Sequence, residues 1–164
     1  MQETIKGSGI TIIMHFCDMG NQRQYLASGG FSEYLYQDES PKVTINGVTG
    51  KMISKITDPT GKHDGLPLYS NTSDIYFKKG EDGLASQAKV YKDRKTILDF
   101  DWSHTHTNAD GTVFPKGTVH VQVYKIDDKG NIVRLSKQAK SMTAYQMKKY
   151  GPIILYFNPD VKLS

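Results

Sequence analysis

The chain has 164 residues, of which 37% are hydrophobic and 23% charged. That composition excludes a disordered protein and supplies enough chain to bury one core without covalent staples. The formal charge of +4 is uneven: residues 1–86 carry eight basic against ten acidic residues, and residues 87–164 thirteen against seven, which leaves the C-terminal half at +6 and without a glutamate. A lone cysteine, Cys17, rules out an internal disulfide, and no apolar run approaches the roughly 18 residues of a membrane span.

In chain order, residues 1–40 contain Gly7, Gly9, Gly20, Gly29 and Gly30, and read as a linker or a loosely packed cap in which 10–16 is a candidate strand. A domain is expected over 41–164. It begins with a hairpin, 42–45 and 48 onward, joined by Asn46-Gly47, a pair that supplies the positive φ angles of a type I′ turn. A loop rich in Pro, Gly, Asn and Asp follows over 57–73. Period-2 alternation then predicts strands over 73–79, 86–92 and 95–103, with short turns at Glu81-Asp82-Gly83 and Asp93-Arg94. After a 13-residue loop, strands are predicted over 117–126 and 131–135. Thr143 with Gln146 forms a capping-box signature for one helix, Lys148 and Lys149 suit its C-terminal dipole, and Gly151-Pro152 is expected to stop it. The fold class is α+β: a twisted antiparallel meander with a C-terminal helix packed on one face.

Three of the five histidines fall at His104, His106 and His120, within DFDWSHTHTNADGTVFPKGTVHVQ. On the strand before the loop, Leu98, Phe100 and Trp102 share one face, so Asp99, Asp101 and Ser103 take the other. On the strand after it, Val119, Val121 and Val123 oppose His120, Gln122 and Tyr124. If both apolar sets face one core, the polar sets share the far side of the sheet, with Asp101 opposite His120 and Asp99 beside Gln122. Lys89 joins them from the preceding strand, and the loop brings His104 and His106 over the edge.

This set suits metal-independent cleavage of RNA. One imidazole takes the proton of the ribose 2′-hydroxyl while a second protonates the leaving oxygen. His120 is assigned to one role with Asp101 fixing its tautomer, and His104 or His106 to the other. Lys89, Lys116, Gln122 and Tyr124 would bind substrate, and no cofactor is needed. The chemical rival is a three-nitrogen site for a divalent transition metal, since His104-x-His106 on an extended segment points both rings one way and His120 completes the set. His15, His63 and Cys17 read as surface or core residues, and the ten tyrosines suit strands as well as base stacking.

From Lys89 to Gln122, the succession of a strand ending in Val90-Tyr91, then Asp99-Phe100-Asp101, a histidine-bearing loop with Pro115 and a final His120 resembles the C-terminal domains of bacterial polymorphic toxins. Similar domains end contact-dependent or Rhs-type effectors and phage head-associated proteins. The likeness spans roughly the last 80 residues. It implies a nuclease effector acting on RNA or another nucleic acid in the cytoplasm, delivered on a larger secreted or phage-borne carrier and held in check by an immunity protein. No membrane partner is expected. An alternative of another class is a non-enzymatic phage or mobile-element protein that binds or inhibits through its basic half.

Overall fold

A computed structural model describes the backbone of residues 2–7, 10–15, 21–25, 31–57, 65–70 and 73–164, and the side chains of 36–55, 65–70 and 73–164. Cys17, His63 and the side chain of His15 lie outside the described residues. Among the described residues no helix is long and apolar enough to cross a membrane.

The chain begins with β1 (Gln2–Gly7), β2 (Ile10–His15), β3 (Asn21–Tyr25) and β4 (Phe31–Asp38), followed by β5 (Lys42–Ile45) and β6 (Val48–Thr57). After the loop come β7 (Ile75–Lys79), β8 (Ala85–Lys92) and β9 (Lys95–Asp101), then a two-stranded ribbon of β10 (His106–Thr107) and β11 (Val113–Phe114). The last elements are β12 (His120–Ile126), β13 (Ile132–Arg134) and α1 (Ala144–Phe157). The main sheet runs β1-β2-β5-β6-β7-β8-β9-β12-β13, with β4 on the second half of β6 and β3 on β4. Strands within the first 40 residues therefore pair into the same sheet, through β2 on β5 and β4 on β6.

The architecture is α+β, with the helix packed against the sheet. β7, β8 and β9 form the expected meander, and Asn46 (φ 53°) and Gly47 (φ 78°) make the tight turn between β5 and β6. One pairing departs from a purely antiparallel sheet: β6 and β7 run parallel, with Gly50 opposite Ile75 and Ile53 opposite Lys78. Gly50 sits at this junction, where a Cβ would collide with the side chain and carbonyl of Ile75.

The helix starts as expected, with the Thr143 hydroxyl accepting from Gln146 N (3.1 Å) and the Gln146 side chain accepting from Thr143 N (3.0 Å). It does not stop at Gly151-Pro152 but continues to Phe157, which leaves Lys148 and Lys149 in mid-helix. Pro152 has no N–H for the carbonyl of Lys148. Asn46, at the β5–β6 turn, donates its Nδ2 to that carbonyl at 3.0 Å, so the proline leaves no orphan acceptor. Gly151, Ile153, Ile154 and Phe157 then seat the second half of the helix on the sheet.

Candidate metal centre

β9 ends because Asp101 turns its carboxylate back onto the chain. Its Oδ1 accepts from Ser103 N at 2.8 Å and from the Ser103 hydroxyl at 2.7 Å, which bends the backbone away from the sheet. Trp102 stays in the core, donating Nε1 to the carbonyl of Ala85 at 2.9 Å. Residues 104–116 then fold over the end of β9 as the β10–β11 ribbon, with His106 opposite Phe114. The turn of that ribbon is closed by Asn108 N to Thr112 O (2.8 Å) and by Asp110 Oδ1 accepting from Thr112 N (2.9 Å). The ribbon returns through Gly117, whose N–H bonds to the Trp102 carbonyl, so β12 begins directly beside the end of β9. Its first residue, His120, pairs with Asp101, and Gln122 pairs with Asp99.

The three clustered histidines converge. Ring centroids lie 4.8 Å apart for His106 and His120, 5.2 Å for His104 and His120, and 6.2 Å for His104 and His106. One nitrogen from each ring can be chosen so that all three lie within 4.8 Å of one another. His104 is exposed, His106 half-buried and His120 only 3% exposed, with Phe114 packed 5.8 Å from its ring. Burial pushes the proton affinity of His120 below the ordinary imidazole value; the Asp101 charge opposes this, while His106 and His104 reinforce it.

Hydrogen bonds outside the cluster are specific. His106 Nε2 lies 3.0 Å from Asn108 Oδ1, and His104 Nδ1 lies 3.1 Å from the Ser103 hydroxyl and 3.6 Å from Asp101 Oδ1. The buried Nδ1 of His120 has no hydrogen-bond partner among the described residues. Asp101 thus faces His120 in the register, as the alternation predicts, yet its carboxylate serves Ser103 and His104 rather than the Nδ1 of His120.

The residues expected to bind substrate divide. Lys116 is exposed. Lys89 is 5% exposed and ion-paired with Asp99 at 3.4 Å, with its ammonium 4.9 Å from the Tyr124 ring centroid. Tyr124 donates to Asp99 Oδ2 at 3.0 Å, Gln87 donates to Oδ1 at 3.3 Å, and Arg134 Nε lies 3.4 Å from the Tyr124 hydroxyl. Gln122 is buried, with Oε1 unpartnered. Lys89, Asp99 and Gln122 are therefore buried on the polar face of β8, β9 and β12, while Tyr124, half-buried, links the Lys89–Asp99 pair to the exposed Arg134.

Two contributors were not singled out from sequence, Asn108 and Phe114. The first had a readable signal: two residues after His106 in an extended segment, its side chain falls on the same side. Phe114 meets His106 only through the ribbon register, which the sequence does not specify.

The donor set fits a transition metal. Imidazole suits Zn, Cu, Ni and Fe, and three protein nitrogens is the ligand count of catalytic rather than closed structural zinc sites. A tetrahedral centre with bonds of about 2.0–2.1 Å sets its nitrogens roughly 3.4 Å apart, so binding would draw these rings together by an ångström or so. No family model matches the chain, and comparison with curated proteins and with solved structures finds no significant match.

Proposed function

We propose that this protein is a metal-dependent hydrolase whose centre is His104, His106 and His120 holding one divalent transition-metal ion, with zinc the first candidate. The observation that carries this reading is the convergence of three imidazoles, one nitrogen of each within 4.8 Å of the other two, beside a His120 Nδ1 that is buried and has no hydrogen-bond partner among the described residues. An unpaired buried polar atom costs about 1–3 kcal/mol, a cost that a metal bond removes. Burial also disfavours the protonated form of His120, and a ligand must be unprotonated. When bound, such an ion lowers the pKa of a water and polarises a phosphoryl or carbonyl oxygen. The chain's own residues hold the rings, exclude water from the His120 side through Phe114, and leave His104 open to solvent. Nucleic acid is the first substrate to test, because residues 87–164 carry the whole positive excess of the chain.

A second reading, metal-free cleavage of RNA by His104 and His120, is favoured by the Asp101 carboxylate beside His104. Spacing weighs against it. An in-line displacement keeps attacking and leaving oxygens on opposite sides of phosphorus, so imidazoles bonded to both stand on opposite sides of the reacting group. Here one nitrogen of each ring can be placed within 4.8 Å of the other two, which suits a shared ligand better than two groups flanking one phosphorus.

Metal analysis and zinc titration of the full chain decide between them. One equivalent of zinc, lost in His120→Gln, together with RNA cleavage abolished by chelator and restored by zinc, is the expected result. Cleavage that persists in chelator would favour the metal-free pair. Neither metal nor cleavage would leave the basic half as a binding surface, and the hydrolase reading would fall.

A further inference from the structure

Asn108 is a polar side chain at 7% exposure in the loop between β9 and β12, and all its hydrogen-bonding capacity but one N–H has a visible destination. Its Nδ2 donates to the carbonyl of Ala139 at 2.8 Å, and its Oδ1 accepts from the N–H of the same residue at 2.9 Å. This two-point clamp leaves no freedom to exchange oxygen and nitrogen, since the flipped amide would set donor against donor and acceptor against acceptor. The atom 3.0 Å from His106 Nε2 is therefore an oxygen, which has only lone pairs to offer. His106 must donate, so its Nε2 carries the proton and its lone pair sits on Nδ1.

The same bookkeeping applies to His104 with the opposite outcome. The single hydroxyl proton of Ser103 goes to Asp101 Oδ1 at 2.7 Å. Toward His104 Nδ1, 3.1 Å away, the hydroxyl can then only accept. His104 carries its proton on Nδ1 and has its lone pair on Nε2. Two histidines separated by a single residue thus present unlike nitrogens.

We propose that Asn108 is the positioning residue of the metal centre: clamped to Ala139, it fixes His106 as a ligand through Nδ1, while Ser103 and Asp101 fix His104 as a ligand through Nε2. This rests on the metal reading above for its purpose, though not for its geometry. Ligating histidines commonly donate their second N–H to such a partner, which orients the ring and raises its basicity. The clamp also ties the centre's two halves together. Lys140, next to Ala139, exchanges both backbone hydrogen bonds with Val121 at 2.7 and 3.0 Å. One short segment therefore braces the strand that carries His120 and, through Asn108, the ribbon that carries His106.

The test is read on the metal-free full chain by long-range proton–nitrogen correlation of labelled histidine side chains at a pH above 7. The expected pattern is a protonated Nε2 in His106 and a protonated Nδ1 in His104. A protonated Nδ1 in His106 would overturn the proposal whether or not zinc binds. Asn108→Ala should allow His106 to populate both tautomers and weaken zinc binding by roughly 10–100-fold. Should Asn108→Ala fail to fold, the wild-type tautomer pattern still decides. If the tautomers are as stated and zinc does not bind, the metal reading fails and the positioning stands. A folded Asn108→Ala with unchanged tautomers and unchanged zinc affinity would remove Asn108 from the role.

Discussion

Beneath α1 the sheet buries Phe77 against Phe157 at 4.5 Å between ring centroids and Phe100 against Tyr150 at 5.6 Å, with valines and isoleucines filling the spaces. On the opposite face, between β8 and β12, it buries Lys89, Asp99, Gln122 and His120. Both faces are dry, and only one is apolar. Aliphatic and aromatic contacts gain free energy in proportion to area and tolerate small shifts. A buried charge network gains little net and is costly when incomplete, so its retention points to a use other than stability. The histidine centre lies at the open end of that second face, where the β10–β11 ribbon folds over it.

Emptying one face at a time shows whether the two are energetically separate. Phe100→Ala removes a fully buried ring from the helix side and should cost about 3–5 kcal/mol, read as a lower urea midpoint. Folded molecules of that variant should keep the zinc affinity of the wild type, because Phe100 points away from the histidines. A comparable loss of affinity in the folded fraction would mean that the two faces are not separable.

Removing Asp99 tests the other face. Asp99→Leu strands the Lys89 ammonium at 7% side-chain exposure and deprives Tyr124 and Gln87 of their acceptor. The expected cost is about 3 kcal/mol, most of it the penalty of an unpaired buried charge. Lys89→Met combined with Asp99→Leu should recover most of it in the same denaturation assay. If the double variant is as unstable as the single, the network is a net source of stability and both faces hold the fold together.

What was legible in the sequence follows the same division. The Asp101–His120 and Asp99–Gln122 register came from alternation alone, because Leu98, Phe100 and the valines of β12 must all face one core. The Asn46-Gly47 turn and the Thr143 cap were readable because local chemistry decides them. The continuation of α1 past Pro152 was not, since it depends on Asn46, a residue 102 positions from the carbonyl it satisfies. Likewise, the burial of Lys89 and Gln122 was not readable, because polar residues alternating in a strand signal a wet face rather than cover. The meeting of the three histidines was anticipated as a cluster, while the partners that orient them come from Ser103, Asn108 and the remote backbone of Ala139.

The smallest effect concerns pH and falls on His120. Its imidazole holds a proton less readily when folded, mainly because it is buried and partly because His106 and His104 stand beside it. As pH drops below about 6.5, the ordinary imidazole value, the unfolded chain takes up a proton that the folded chain still refuses. Stability of the metal-free protein must then decline with falling pH, and the decline ends once the pH lies below the folded value as well. His120→Phe removes the titrating group and offers Phe114 an apolar neighbour in its place. Urea midpoints at pH 7.5 and 5.5 in the presence of chelator should therefore separate further for the wild type than for this variant. Equal separation would show that the buried ring titrates as it does in water, and would remove the reason for regarding this end of the second face as a poised, unprotonated ligand site.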